Sequence, residues 1–341
     1  MIIDCHGHYT TAPPGIHVYR AFQLAFMNKP NRTQIKISDD EIQTSLENGQ
    51  LKLQMERGTD MMLFSPRASH MGHHVGDEVI SRQWTEVNND LIKRVCGIFP
   101  DRFIGVCQLP QSPGVSPKNC VEELERCITE LDFVGCNLNP DPSGGWWTDP
   151  PLGDEWWYPL YEKMVELDVP AMIHGSSTCN PAFHTTGSHY MNIDNTGIMQ
   201  LLESRVFQDF PTLRIIMPHG GGVIPYQIAR YRALSIMNKW EPFEEFMRRF
   251  YFDTAVYSPE AMELLIKIVG VDRLIFASEM LGGVTTIDPN TGRWFDDNKP
   301  LLDEITWLSE EDRQKIFEDN VKAAYPRLGP VMEKQMKAAK G

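Results

Sequence analysis

The sequence predicts an α/β fold, a (β/α)8 TIM barrel of the metal-dependent hydrolase type with insertions in its βα loops. Three observations predict it. Short β-rich apolar runs recur eight times along the chain, stretches of helical periodicity separate them, and chemically capable polar residues cluster where the runs end. The strands are expected at 2–4, 61–64, 103–108, 134–138, 171–174, 213–218, 250–254 and 274–277. Helices are expected near 40–57, 78–98, 116–130, 155–167, 195–208, 225–236, 259–269 and 309–323. Four stretches, 9–39, 66–77, 139–153 and 280–300, read as insertions after strands, on the rim where barrel active sites are built. A doubly wound open sheet gives a similar string, so closure is an inference from the count of eight. A length of 341 residues fits one barrel domain, 1–341, with a helical tail over 323–341.

Composition excludes several classes of function. The formal charge of −14 and the lack of a Lys/Arg stripe argue against nucleic acid, whose phosphates require clustered cations. No apolar run approaches the roughly 20 residues of a membrane span, and the start Met-Ile-Ile-Asp-Cys-His carries no basic leader, so a cytoplasmic enzyme is expected. The seven cysteines form no CxxC pair and read as buried thiols rather than a disulfide frame. A few arginines in a cleft would still admit an anionic small molecule.

Four strand ends carry the chemistry. Asp4-Cys5-His6-Gly7-His8 places two imidazoles on one side of the first strand, since side chains two apart share a face. His174 closes the apolar run Pro170-Ala-Met-Ile-His174 and would supply a third neutral nitrogen. His219 leads into Gly220-Gly221-Gly222, and Glu279 ends the eighth run. If the barrel closes, strands one, five, six and eight bring these groups to one mouth. Three imidazoles and a carboxylate suit a single divalent ion, zinc by ligand type, with manganese as the alternative. Glu279 is then metal ligand, general base or both, and His219 orients water or stabilises negative charge.

This arrangement resembles the amidohydrolase superfamily, in the branch that contains 2-amino-3-carboxymuconate-6-semialdehyde decarboxylase. The resemblance covers essentially the whole chain and implies a mononuclear metal barrel, often a homodimer. Strand four, Gly135-Cys-Asn137-Leu-Asn139, has no lysine for a bridged second metal. At strand eight the chain departs from the branch, with Glu279 where its decarboxylases and hydrolases carry aspartate. That glutamate, the Phe64-Ser-Pro-Arg67 segment and the turn Ser278-Glu-Met-Leu-Gly-Gly283 resemble the 4-oxalomesaconate hydratase family. The resemblance implies addition of water to the C=C bond of a tricarboxylate in the bacterial breakdown of lignin-derived aromatics. The alternatives are a nonoxidative decarboxylase, a 2-pyrone-4,6-dicarboxylate lactonase, or a non-catalytic carboxylate-binding barrel. For hydration, Tyr190 is the candidate proton donor to carbon. Arg67, Arg230 and Lys299 are candidate carboxylate-binding cations, with Asn137, Asn139 and Ser278 as neutral hydrogen bonders.

Overall fold

The structure is a computed structural model that describes residues 1–27 and 35–338. Eight parallel strands run β1 (Ile3–His8), β2 (Met61–Ser65), β3 (Phe103–Gly105 continued by Cys107–Gln108), β4 (Cys136–Leu138), β5 (Ala171–Ile173), β6 (Ile215–Met217), β7 (Phe250–Asp253) and β8 (Leu274–Ile275). Each pairs with its successor in parallel register. At the kink in β3, Val106 N donates to Phe64 O of β2, while Cys107 N donates to Gly135 O beside β4, both at 2.9 Å. The ring closes where Cys5 N in β1 donates to Phe276 O, just past β8, at 3.0 Å. The closure inferred from eight strands is therefore present.

Residues from the strands or the segments that lead into them, among them Ile3, Leu63, Val106, Val134, Met172, Ile216, Tyr251 and Ile275, pack into one cluster with Val321, Tyr325 and Leu328. A cluster fed by all eight strands is the barrel interior, and the C-terminal residues plug its lower end. The terminal helix Leu328–Ala338 continues that plug, and residues 339–341 of the expected tail lie outside the described residues. Met62, Phe64, Phe103 and Phe252 belong instead to the larger cluster, which the surrounding helices cover.

The helices arise where the periodicity places them. Glu78–Ile98 starts at Asp77, whose carboxylate accepts from Ile80 N, and Pro259–Val269 starts at Ser258 with proline in its first turn. Two expectations are corrected. The helix foreseen over 40–57 is broken at Asn48-Gly49 into Asp39–Glu47 and Gln50–Glu56. The helix foreseen from 195 begins earlier, as a π-type turn over Thr185–His189 that leads into Tyr190–Leu202, so Tyr190 opens a helix instead of sitting in a loop. The 9–39 insertion contains a helix, Gly15–Ala25, and its residues 28–34 lie outside the described residues.

In β1 the register against β2 shifts between Asp4 and Gly7. Strict alternation would set Cys5 opposite both histidines, but the bulge lets Cys5 join the interior layer below while His6 and His8 stand above it. Gly7 is needed for contact rather than for bending: a Cβ there would lie 2.4 Å from Met62 Cγ and 2.8 Å from Leu63 O.

Candidate metal centre and active site

The rings of His6, His8 and His174 converge at the open end of the barrel. Their Nε2 atoms are 3.0 Å (His6 to His8), 2.9 Å (His8 to His174) and 3.0 Å (His174 to His6) apart. The opposite nitrogens fix what those atoms are. His174 Nδ1 is 2.8 Å from Gly175 O, and His6 Nδ1 is 2.7 Å from the buried Asp253 Oδ2. A carbonyl or carboxylate oxygen only accepts, so both Nδ1 atoms donate, and Nε2 is the nitrogen each ring turns toward the others. His8 Nδ1 lies 2.7 Å from Ser65 Oγ, which Asn137 Nδ2 contacts at 3.0 Å. Burial, then the neighbouring imidazoles of His174 and His6, holds His8 well below the ordinary histidine range. Burial, then His6 and His219, pushes His174 down to about 3. Lone pairs crowded at 3 Å repel unless a cation lies among them, so the donor set fits the expected divalent ion. Glu279 completes the group: one ligand atom from each of the four residues falls within 4.8 Å of the others, and all four are buried.

The backbone is unusual at Glu279 and at His219, which faces it. His219 has φ 52° and Glu279 has φ 51°, a left-handed conformation rare for residues with a Cβ. Such conformations persist where the surroundings over-determine them, and they cluster at functional sites. Here the surroundings are specific. Asp4 is fully buried, accepts from His6 N at 3.0 Å and Ser278 N at 3.2 Å, and takes a further short hydrogen bond from Ser278 Oγ, which ties β1 to the turn that carries Glu279. Tyr257 donates a short hydrogen bond to Glu279 Oε2. A Cβ on Gly283 would stand 2.7 Å from that same oxygen, and one on Gly282 would stand 2.8 Å from Glu279 Cγ, so only glycine leaves room for the carboxylate.

His219 and Glu279 form a charged pair. Burial disfavours the imidazolium, but Asp194 Oδ2 at 2.9 Å from Nδ1 and Glu279 Oε2 at 3.7 Å from Nε2 outweigh it, and His219 holds its proton well above the usual histidine range. Burial also opposes the Glu279 carboxylate, but the hydrogen bond and charge of His219, with His6 and His8, hold its carboxyl below the usual range. Tyr190 lies parallel to His219, ring centroids 6.1 Å apart, and near His174 at 6.0 Å. Burial, then the Glu279 charge, raises its phenol, which stays protonated at neutral pH. His8, His174, Glu279, Tyr190 and Arg67 line one cavity of about 120 Å³.

Other expected residues stand elsewhere. Asn137 supports Ser65 behind His8, Asn139 bonds Gln111 and Ser176 between loops, and Ser278 holds Asp4. Lys299 pairs with Asp303 at 2.5 Å in the short helix Asn298–Asp303, and Arg230 is exposed on the helix Ile228–Asn238; neither lines the cavity. None of these five lines the cavity beside Glu279 in the single chain. Conversely, Asp253, Asp194, Ser65 and Tyr257 escaped the sequence reading. Asp253 ends an apolar run just as Glu279 nearly does, a signal that was available. Asp194 lies mid-helix and carries no local signal.

Because Asp253 fixes the tautomer and orientation of His6, Asp253→Ala is expected to weaken metal binding by about 10–100-fold. Competition titration against a chromogenic chelator measures this, and unchanged affinity would release Asp253 from that role.

The barrel with three strand-end histidines and one strand-end acid defines a class. Residues 3–327 match the amidohydrolase family, and the chain belongs to it. Within that family, the 2-keto-4-carboxy-3-hexenedioate hydratase of Sphingobium sp. strain SYK-6 is 50% identical over 331 residues, 96% of this chain and 97% of that protein. The crystal structure of 4-oxalomesaconate hydratase from Rhodopseudomonas palustris superposes with a TM-score of 0.91 at 46% identity, covering 99% of this chain and 100% of that one. More distantly, gamma-resorcylate decarboxylase of Polaromonas sp. strain JS666 is 25% identical over 291 residues, 80% of this chain and 84% of that protein. Among the described residues, no helix is long and apolar enough to cross a membrane.

Proposed function

We propose that the protein is a metal-dependent hydratase that adds water across the C=C bond of 4-oxalomesaconate, giving 4-carboxy-4-hydroxy-2-oxoadipate in the breakdown of lignin-derived aromatics. The observation that carries this reading is Glu279, a glutamate seated beside three convergent imidazoles and a protonated His219, in a chain 50% identical to a hydratase of the same family. His6, His8, His174 and Glu279 hold one divalent ion, zinc by donor type with manganese as the alternative. When bound, that ion supplies Lewis acidity that eases the ionisation of water.

The chain's own groups then divide the work. In the keto form, named 2-keto-4-carboxy-3-hexenedioate, the double bond joins C3 and C4 and is conjugated to the C2 ketone, so a nucleophile adds at C4. Glu279 takes one proton of water through the oxygen that Tyr257 leaves free. The hydroxyl joins C4 while the π electrons move through C3 onto the ketone oxygen, and the His219 cation offsets that charge. Tyr190, protonated at neutral pH, delivers a proton to C3. Arg67 grips a carboxylate at the cavity wall.

Zinc-loaded protein mixed with 4-oxalomesaconate should bleach the conjugated chromophore and release no carbon dioxide. Carbon dioxide from this substrate or from a carboxymuconate semialdehyde would support the decarboxylase reading instead. The protein is further proposed to work in the cytoplasm as a homodimer or higher oligomer. Tyr226, just before the helix Ile228–Asn238, and Ile236 and Met237 near its end expose 77%, 77% and 75% of their surface, and exposed large apolar side chains favour association. Light scattering should give at least twice the 39.0 kDa chain mass; a monomer at micromolar concentration would contradict this.

A further inference from the structure

Beside the catalytic cavity lies a smaller one of about 20 Å³, room for one or two water-sized groups. Thr10 and Arg67 line both, so the two spaces share a wall. The small cavity is also lined by Trp84, whose indole Nε1 is buried with no hydrogen-bond partner among the described residues, and Thr10 Oγ1 is in the same condition. Buried polar atoms are rarely left so, which makes two on one small space a sign of a missing partner. Arg67 bonds Ser69 Oγ through Nε at 3.1 Å and has no ion pair among the described residues. Above the Trp84 ring, 4.7 Å from its centre, lies the Arg20 guanidinium, which bonds Gln23 and which burial lowers to about 10. His70, at the rim beside His17, is pushed down to about 4 by burial, then by Arg67 and His17. Indole and guanidinium only donate, and a hydroxyl can donate, so an anionic acceptor would satisfy Trp84, Thr10 and Arg67 together.

We infer that this cavity seats a substrate carboxylate remote from the reacting double bond, held by Trp84 Nε1, Thr10 Oγ1 and Arg67. The inference rests on the hydratase reading for the identity of the substrate. It makes Trp84 and Thr10 determinants of specificity for a tricarboxylate, and leaves bond making to the groups around Glu279.

The test uses Trp84→Phe and Thr10→Val in the zinc-loaded protein. Phenylalanine keeps a ring beneath Arg20 while losing the N–H, and valine keeps the shape of threonine. Binding is followed calorimetrically with propane-1,2,3-tricarboxylate, which has no double bond to hydrate. Each variant should bind it about tenfold more weakly, and for hydration should raise KM by about tenfold with kcat within about threefold, at unchanged metal content. Wild-type affinity and KM in both folded variants would overturn the assignment, as would a fall in kcat alone. If Trp84→Phe fails to fold, Thr10→Val decides by the same criteria. Should the wild-type protein not hydrate 4-oxalomesaconate, the hydratase reading fails, while the tricarboxylate titration still judges the cavity.

Discussion

Glu279→Gln is expected to lower kcat by about 10³-fold or more, about 4 kcal/mol of transition-state stabilisation, with KM near that of the parent. The reason is local. The amide preserves the shape of a side chain so closely bordered that a Cβ on Gly282 or Gly283 would come within 2.8 Å of it, and it still offers an oxygen to Tyr257. What it loses is the charge that pairs with His219 and the basicity needed to take a proton from water. Metal content measured on the same preparation separates the two roles of the residue. Dead protein with a full complement of metal identifies a base; dead protein without metal identifies a ligand. A variant within tenfold of wild-type kcat would remove Glu279 from the mechanism.

The second large effect is expected for His174→Ala. His174 supplies one of three nitrogens at mutual distances of 2.9 to 3.0 Å, and its loss opens the shell on the β5 side. Turnover should fall by about 10⁴-fold or more, since both the cation and the water it activates depend on that shell. Folding gives an independent readout. A ligand that binds only the native state stabilises it by about 4 kcal/mol when present at 1,000 times its Kd. The wild-type Tm should therefore drop on chelation, while the variant's Tm should not respond. A variant that keeps both metal and turnover would show that the histidine cluster has another purpose.

Much of the metal site was legible in the sequence because it is written in strand ends. In a parallel barrel all eight strands point their C-termini at one mouth, so His6, His8, His174 and Glu279 needed only correct strand positions to be brought together. The supports were not legible in the same way. Asp194 reaches His219 from the middle of a helix that has its own apolar pattern, and nothing in the local sequence marks it. Ser65 matters because β2 pairs in register beside β1, setting it opposite His8, a relation between distant segments. Lys299 was read from its charge and its place in the last long loop, and Arg230 from its place on the helix after the glycine turn; neither lines the cavity of the single chain. Lys299 is satisfied by Asp303 one turn further along its own helix, the ordinary fate of a helical lysine. Arg67 differed because the chain emerging from β2 points it into the cavity. The bulge in β1 shows the same limit at smaller scale: alternation correctly put His6 and His8 together, yet only the register shift explains how Cys5 below them also faces inward.

A cation held by His6, His8 and His174 at the barrel mouth has a direct physical signature. Anomalous diffraction at the zinc absorption edge, from crystals of zinc-loaded protein, tests it most directly. One strong peak per chain is expected, about 2.0–2.1 Å from all three Nε2 atoms. No peak there, or a peak held by other residues while those three rings remain bare, would contradict it.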